Sequence, residues 1–121
     1  MKLSIIGDVE EGKEGGRLRV IDSFVQDMKG GGTPILLSSG SSRLMNLVTK
    51  YAREKEYPSL VMYDSTQLSV VNADKVLVLK TKSRDMEEVV AMCKKYDKPY
   101  MGIAWCPILQ PSGLRLSFHT T

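Results

Sequence analysis

The residues best suited by type and spacing to do chemistry lie in one stretch, Ser38-Ser39-Gly40-Ser41-Ser42-Arg43. Its serine hydroxyls can donate or accept hydrogen bonds. Gly40 permits a close backbone approach or a positive φ. Arg43 brings a planar, permanently charged fork that suits a phosphate or a carboxylate. No acidic residue occurs from Thr33 to Lys50. The apolar run Pro34-Ile35-Leu36-Leu37 precedes the stretch, and Leu44, Leu47, Val48, Tyr51 and Ala52 follow it at helical spacing. The pattern is strand, tight turn, helix. In a parallel α/β sheet such a turn lies at the carboxyl end of its strand, where these folds bind ligands. It is also a helix N-terminus, where unpaired N–H groups and the dipole attract anions. One reading is an anion site built from Ser39, Gly40, Ser41, Ser42 and Arg43. The other is a plain helix start, with Ser41 or Ser42 as N-cap and Arg43 a solvated charge.

Elsewhere the chain offers little to metal or triad chemistry. His119 is the only histidine, and Cys93 and Cys106 fit no zinc spacing. No metal and no cofactor are expected. Both cysteines sit in apolar surroundings and read as free thiols of a reducing compartment, which predicts a cytoplasmic protein. The 121 residues suit one domain spanning 1–121. A net charge of +3, from 17 basic and 14 acidic residues, does not by itself imply nucleic acid. No apolar run reaches membrane-spanning length, and Met1-Lys2-Leu3-Ser4-Ile5-Ile6 breaks at Gly7-Asp8, so neither a membrane segment nor a signal peptide is expected.

The positioning elements follow from periodicity. Residues 2–6 read as a buried strand closed by Gly7. Residues 8–16 are polar and glycine-rich, and read as a mobile loop at the same end of the sheet as the Gly40 turn. Gly7, Gly12, Gly15 and Gly16 do not form G-x-G-x-x-G, and the acids among them would repel a pyrophosphate, so a dinucleotide site is not expected here. A first helix over 17–29 has an apolar face of Leu18, Ile21, Phe24, Val25 and Met28 and is stopped by Gly30-Gly31-Gly32. A strand at 34–38, a helix at about 42–55 and a strand at 60–63 come next. Residues 65–74 are a polar connection with room for one helical turn. A strand at 75–79 leads to a third helix capped by Ser83, with Met86, Val89, Val90 and Cys93 on its buried face. Its acids Asp85, Glu87 and Glu88 come early and Lys94, Lys95 and Lys98 late, matching the dipole. Strands at 100–105 and 114–118 complete the chain. This alternation predicts a three-layer α/β sandwich around a mainly parallel sheet of five to six strands.

The order of motifs over residues 1–104 resembles the SLOG superfamily of Rossmann-like proteins, which includes Lonely-Guy-type phosphoribohydrolases, the DNA-processing protein A domain and YpsA-like proteins. The glycine-rich turn and Gly-Leu-Met-Gly helix start of that family correspond to Ser39-Gly40-Ser41-Ser42-Arg43-Leu44-Met45-Asn46. Its Ala-Asp corresponds to Ala73-Asp74, its Gly-Thr-x-x-Glu helix start to Arg84-Asp85-Met86-Glu87-Glu88, and its Lys-Pro to Lys98-Pro99. The departures are specific. Arg43 and Asn46 replace the flanking glycines, and Arg84-Asp85 replaces the second phosphate-cradling pair. Residues 65–72 lack the arginine that the hydrolases carry.

The resemblance implies strand order 3-2-1-4-5 and a domain that binds a nucleotide or sugar phosphate, with Gly7, Asp8 and Glu88 around the same pocket as the Gly40 turn. If the chain is an enzyme, the reaction implied is hydrolysis of a nucleotide N-glycosidic bond, with Glu88 as the acid/base or oxocarbenium-stabilising carboxylate. A homodimer paired through helices is a further expectation. Binding of single-stranded nucleic acid, as in the DNA-processing relatives, is an alternative that dispersed basic residues and few aromatics do not favour.

Overall fold

Short apolar runs alternate with amphipathic stretches, and the chain folds as α/β units. The computed structural model describes residues 1–28, 35–57, 60–79 and 83–103. In chain order the elements are β1 (Lys2–Gly7), α1 (Glu14–Met28), β2 (Ile35–Gly40), α2 (Ser42–Glu54), β3 (Leu60–Met62), α3 (Thr66–Asn72), β4 (Lys75–Leu79), α4 (Ser83–Lys95) and β5 (Tyr100–Ile103). The strands form one five-stranded sheet in the order β3-β2-β1-β4-β5, and every pair is parallel. This is a Rossmann-like architecture with β1 central, as expected. The anticipated strand at 114–118, the extension of β5 to Ala104 and Trp105, the Gly30-Gly31-Gly32 stop, Cys106 and His119 lie outside the described residues.

Alternate residues of β1, β2, β4 and β5 feed two cores. Leu3, Ile5, Leu36, Leu77, Leu79 and Met101 pack with α1 and α2 through Ile21, Phe24, Val25, Leu44, Leu47 and Val48. On the opposite face, Ile6, Leu37, Val76 and Val78 pack with Val70 and Ala73 at α3 and with Val89 and Cys93 of α4. A fully buried aliphatic side chain contributes roughly 1.5–3 kcal/mol relative to exposure, so these two layers dominate the stability of the domain. No described helix is long and apolar enough to cross a membrane.

Three departures from the expected elements have physical causes. The first helix begins at Glu14, taking in Gly15 and Gly16. The first N–H groups of a helix need no intrahelical partner, and a bond from Lys13 N–H to the Glu10 carbonyl (3.0 Å) turns the chain into it. The loop before it has one anchor, Val9, which is fully buried in the core beneath α1 and α2, while Asp8, Glu11, Gly12 and Lys13 are exposed. Residues 66–72 form a complete short helix, not one turn in a polar connection, and Ser65 Oγ accepts from Leu68 N–H at 3.4 Å as its N-cap. Ala73-Asp74 then locks the start of β4 to β1: Asp74 Oδ2 accepts from Lys2 N–H at 2.7 Å while Asp74 N–H donates to the Lys2 carbonyl at 2.8 Å.

Helices α2 and α4 end in the same closing motif. Tyr57 N–H reaches the Ala52 carbonyl and Lys98 N–H the Cys93 carbonyl, over left-handed residues Glu56 (φ 56°) and Asp97 (φ 55°).

Candidate functional site

The carboxyl ends of β1 and β2 meet as a pair of glycines. Gly7 and Gly40 are register partners, with φ of 126° and 133°. A Cβ on Gly40 would lie 2.1 Å from the Gly7 carbonyl oxygen, so no other residue fits there. The contact lets Ser41 N–H donate to that oxygen at 3.0 Å. The amino end of α2 is thereby drawn against the loop that leaves β1.

Ser41 has the extended backbone of an N-cap, and its Oγ accepts from Leu44 N–H at 3.1 Å. The same hydroxyl donates to Asp8 Oδ1 at 2.5 Å, and that oxygen also accepts from Val9 N–H at 2.8 Å. An acid from a remote loop therefore sits one hydroxyl away from the first turn of α2, a segment with no acid of its own. Arg43 Nη1 donates to the Val9 carbonyl at 3.2 Å, clamping the same loop from the helix side. Asp8, Gly40, Ser42 and Arg43 all remain exposed, so opposite charges face solvent along one edge.

The other expected residues divide. Ser39 is buried, and its Oγ pairs with Thr66 Oγ1 at 3.1 Å, directing it toward α3 and away from the α2 terminus. Ser38 Oγ is fully buried without a hydrogen-bond partner. Glu88 is exposed on α4, in the helical layer on the opposite face of the sheet from α2. Gly7, Asp8, Gly40, Ser41 and Arg43 are thus joined by direct contacts, whereas no contact among the described residues links Glu88 to them.

A cavity of about 260 Å³ beside the turn is lined by Glu14, Arg43, Asn46, Leu47 and Lys50. Lys50 and Asn46 share the outer stripe of α2 with Arg43 at spacings of three and four, a helical signal that the sequence itself carries. Further along the α1–α2 seam, Tyr51 OH donates to Asp22 Oδ1 at 2.8 Å, and Lys55 Nζ lies 3.8 Å from the same oxygen. Burial, then the hydroxyl of Tyr57 and the Asp22 carboxylate, raise the Tyr51 pKa far above its ordinary value. This group fastens the two helices and stays neutral. A wider depression of about 520 Å³ lies along α4 at Met86, Glu87, Val90, Ala91 and Lys94, and includes none of the expected residues. Among the described residues no group of three or more His, Cys, Asp or Glu could hold a metal ion.

Comparison of the chain with protein-family models, with curated proteins and with solved structures gives no match.

Proposed function

We propose that this Rossmann-like domain binds a nucleotide or a related phosphorylated small molecule at the carboxyl edge of β1 and β2. The observation that carries the reading is the Gly7–Gly40 contact, which brings the amino end of α2 to the loop after β1 and leaves Arg43 and Asp8 exposed on one edge. A ligand with an anionic end and a hydroxylated end matches that pair of charges. Arg43 and Ser42 would take the phosphate, since the guanidinium can make charge-assisted bonds and Ser42 heads the helix. Asp8, already bonded through Oδ1, would accept from sugar hydroxyls through its remaining lone pairs. Its charge disfavours a phosphate directly over Ser41, which shifts the anion toward the Arg43 side.

The test is a thermal-shift screen of inorganic phosphate, nucleotides, sugar phosphates and short single-stranded DNA, followed by calorimetry on variants. A ligand that binds only the folded state raises the melting temperature. Arg43→Ala should weaken a phosphorylated ligand by roughly tenfold to a hundredfold, the equivalent of about 1.5–3 kcal/mol for a charge-assisted bond. Glu88→Gln should bind nearly as well as wild type. Equal affinity of Arg43→Ala and wild type would reduce the turn to a helix cap. If the wild type releases the base from a nucleotide, and Glu88→Gln abolishes that release while keeping affinity, hydrolysis replaces simple binding as the function.

A further inference from the structure

We infer that the cavity beside the Gly40 turn holds the base of a nucleotide and selects guanine, which rests on the phosphate-binding role proposed for Arg43. Arg43 borders both places. Its Nη1 donates to the Val9 carbonyl at the strand edge, and its side chain also lines the cavity of about 260 Å³ with Glu14, Asn46, Leu47 and Lys50. A whole ligand of drug size fills roughly 300–1,000 Å³, so this cavity takes one part of a nucleotide. The ribose that joins phosphate to base would stay beside Asp8 and Arg43, which both bond to Val9.

The lining is divided by chemistry. Glu14, at the start of α1, forms one wall. On the other, α2 contributes Asn46 and Lys50, one turn apart, together with Leu47, which is 6% exposed and offers a flat ring an apolar surface. The side chains of Glu14, Asn46 and Lys50 form no hydrogen bond or ion pair among the described residues. A carboxylate, an amide and an ammonium thus line one cavity with their bonding capacity unused. An ionised carboxylate accepts and cannot donate, and an ammonium donates and cannot accept. The cavity suits a ring with adjacent donors on one edge and acceptors beside them.

Guanine has that pattern. Its N1–H and amino groups are neighbours and can donate together to the two oxygens of Glu14, while O6 and N7 accept from Lys50 and the Asn46 amide. Adenine and cytosine each set one amino donor beside an unprotonated ring nitrogen, which the carboxylate repels. A second phosphate is the competing occupant. Arg43 and Lys50 are seven residues apart, about 10 Å along the helix, too far for one phosphate to bridge. The Glu14 carboxylate on the facing wall also opposes an anion there.

Calorimetry on the full chain with guanosine, inosine and adenosine monophosphates and with ribose phosphate tests this. The guanosine nucleotide should bind roughly fivefold to a hundredfold tighter than the adenosine one, the discrimination of a bidentate pair. The inosine nucleotide lacks the amino donor and should fall between them. Glu14→Gln should lose the preference, because an amide can donate to the adenine ring nitrogen and accept from its amino group. Arg43→Ala should weaken both nucleotides by the same factor, and circular dichroism melts should show both variants folded. Equal affinity of wild type for guanosine and adenosine nucleotides overturns base recognition while leaving phosphate binding in place. So does ribose phosphate binding as tightly as the guanosine nucleotide, or a Glu14→Gln variant that keeps the wild-type preference. If none of the four ligands binds wild type, the phosphate site fails and base recognition fails with it.

Discussion

Replacing Gly40 by alanine should come close to unfolding the domain, and a comparison with the other glycines separates the reasons. At φ 133° an L-residue is strained by roughly 1–3 kcal/mol. The added Cβ would also meet the Gly7 carbonyl oxygen at 2.1 Å, where ordinary contact begins near 3.4 Å. The neighbour is the backbone of the central strand, which cannot turn aside as a side chain would, so overpacking adds about 1–3 kcal/mol. Moving Gly7 further endangers the bond from Ser41 N–H, worth about 0.5–1.5 kcal/mol. The sum is about 3–7 kcal/mol, against a total stability of roughly 5–15 kcal/mol for a typical domain. Gly12 has φ 84° but open space around it, so Gly12→Ala isolates the backbone term, about 1–2 kcal/mol. Gly15 lies in α1 with nothing near its Cβ position, so Gly15→Ala should stabilise by about 1 kcal/mol. Urea denaturation followed by far-ultraviolet circular dichroism would measure all three from the same slope. If Gly40→Ala costs no more than Gly12→Ala, the close packing of the two strand ends is wrong.

Two further outcomes follow from buried groups. Ser38→Ala removes a hydroxyl that has no partner and should leave stability unchanged or raise it by up to about 1 kcal/mol, whereas Ser69→Ala strands the buried Ser4 hydroxyl and should cost about 1–3 kcal/mol; the reverse ranking in urea melts would contradict the hydroxyl pairing beneath α3. Burial pushes the Cys93 thiol up to about 11, so the unfolded chain releases this proton first. Its contribution to stability is therefore complete below the unfolded thiol value, near pH 9, and is lost as pH rises toward 11, by up to about 3 kcal/mol. Cys93→Ala should flatten the curve between about pH 9 and 10, above which the similar fall from Tyr51, whose unfolded value is 10.0, sets in. Thiol titration of the denatured, unreduced chain should count two thiols, because Cys93 is free and Cys106 is expected to be.

Much of the architecture was legible in the residues themselves. Apolar spacing placed α2 and α4 almost to the residue, since Leu44, Leu47, Val48 and Tyr51, or Val89 and Cys93, form one stripe only on a helix. Strand–helix alternation required a parallel sheet, and Gly40 before a serine-rich helix start marked the turn. These are local signals, carried by neighbours along the chain. The length of α3 was not legible, because its inward face is hydroxylic and bonds to Ser4 and Ser39, more than 25 residues away. The start of α1 was hidden for a similar reason. Gly15 and Gly16 favour a loop locally, and the burial of Val9 that anchors the preceding segment is a tertiary event.

The electrostatics of the Gly40 turn show the division most clearly. The residues alone place a basic, acid-free helix start at the carboxyl end of a strand in an α/β sheet. Only the tertiary structure decided that Asp8, 33 residues before Ser41, would bond to its N-cap hydroxyl, and that Arg43 would reach back to the Val9 carbonyl. The cause is the parallel pairing of β1 with β2, which sets Gly7 beside Gly40 and so brings the residues after each strand to one edge. Charge along a chain is read by counting neighbours, but the field at a site is set by whatever the sheet order carries there.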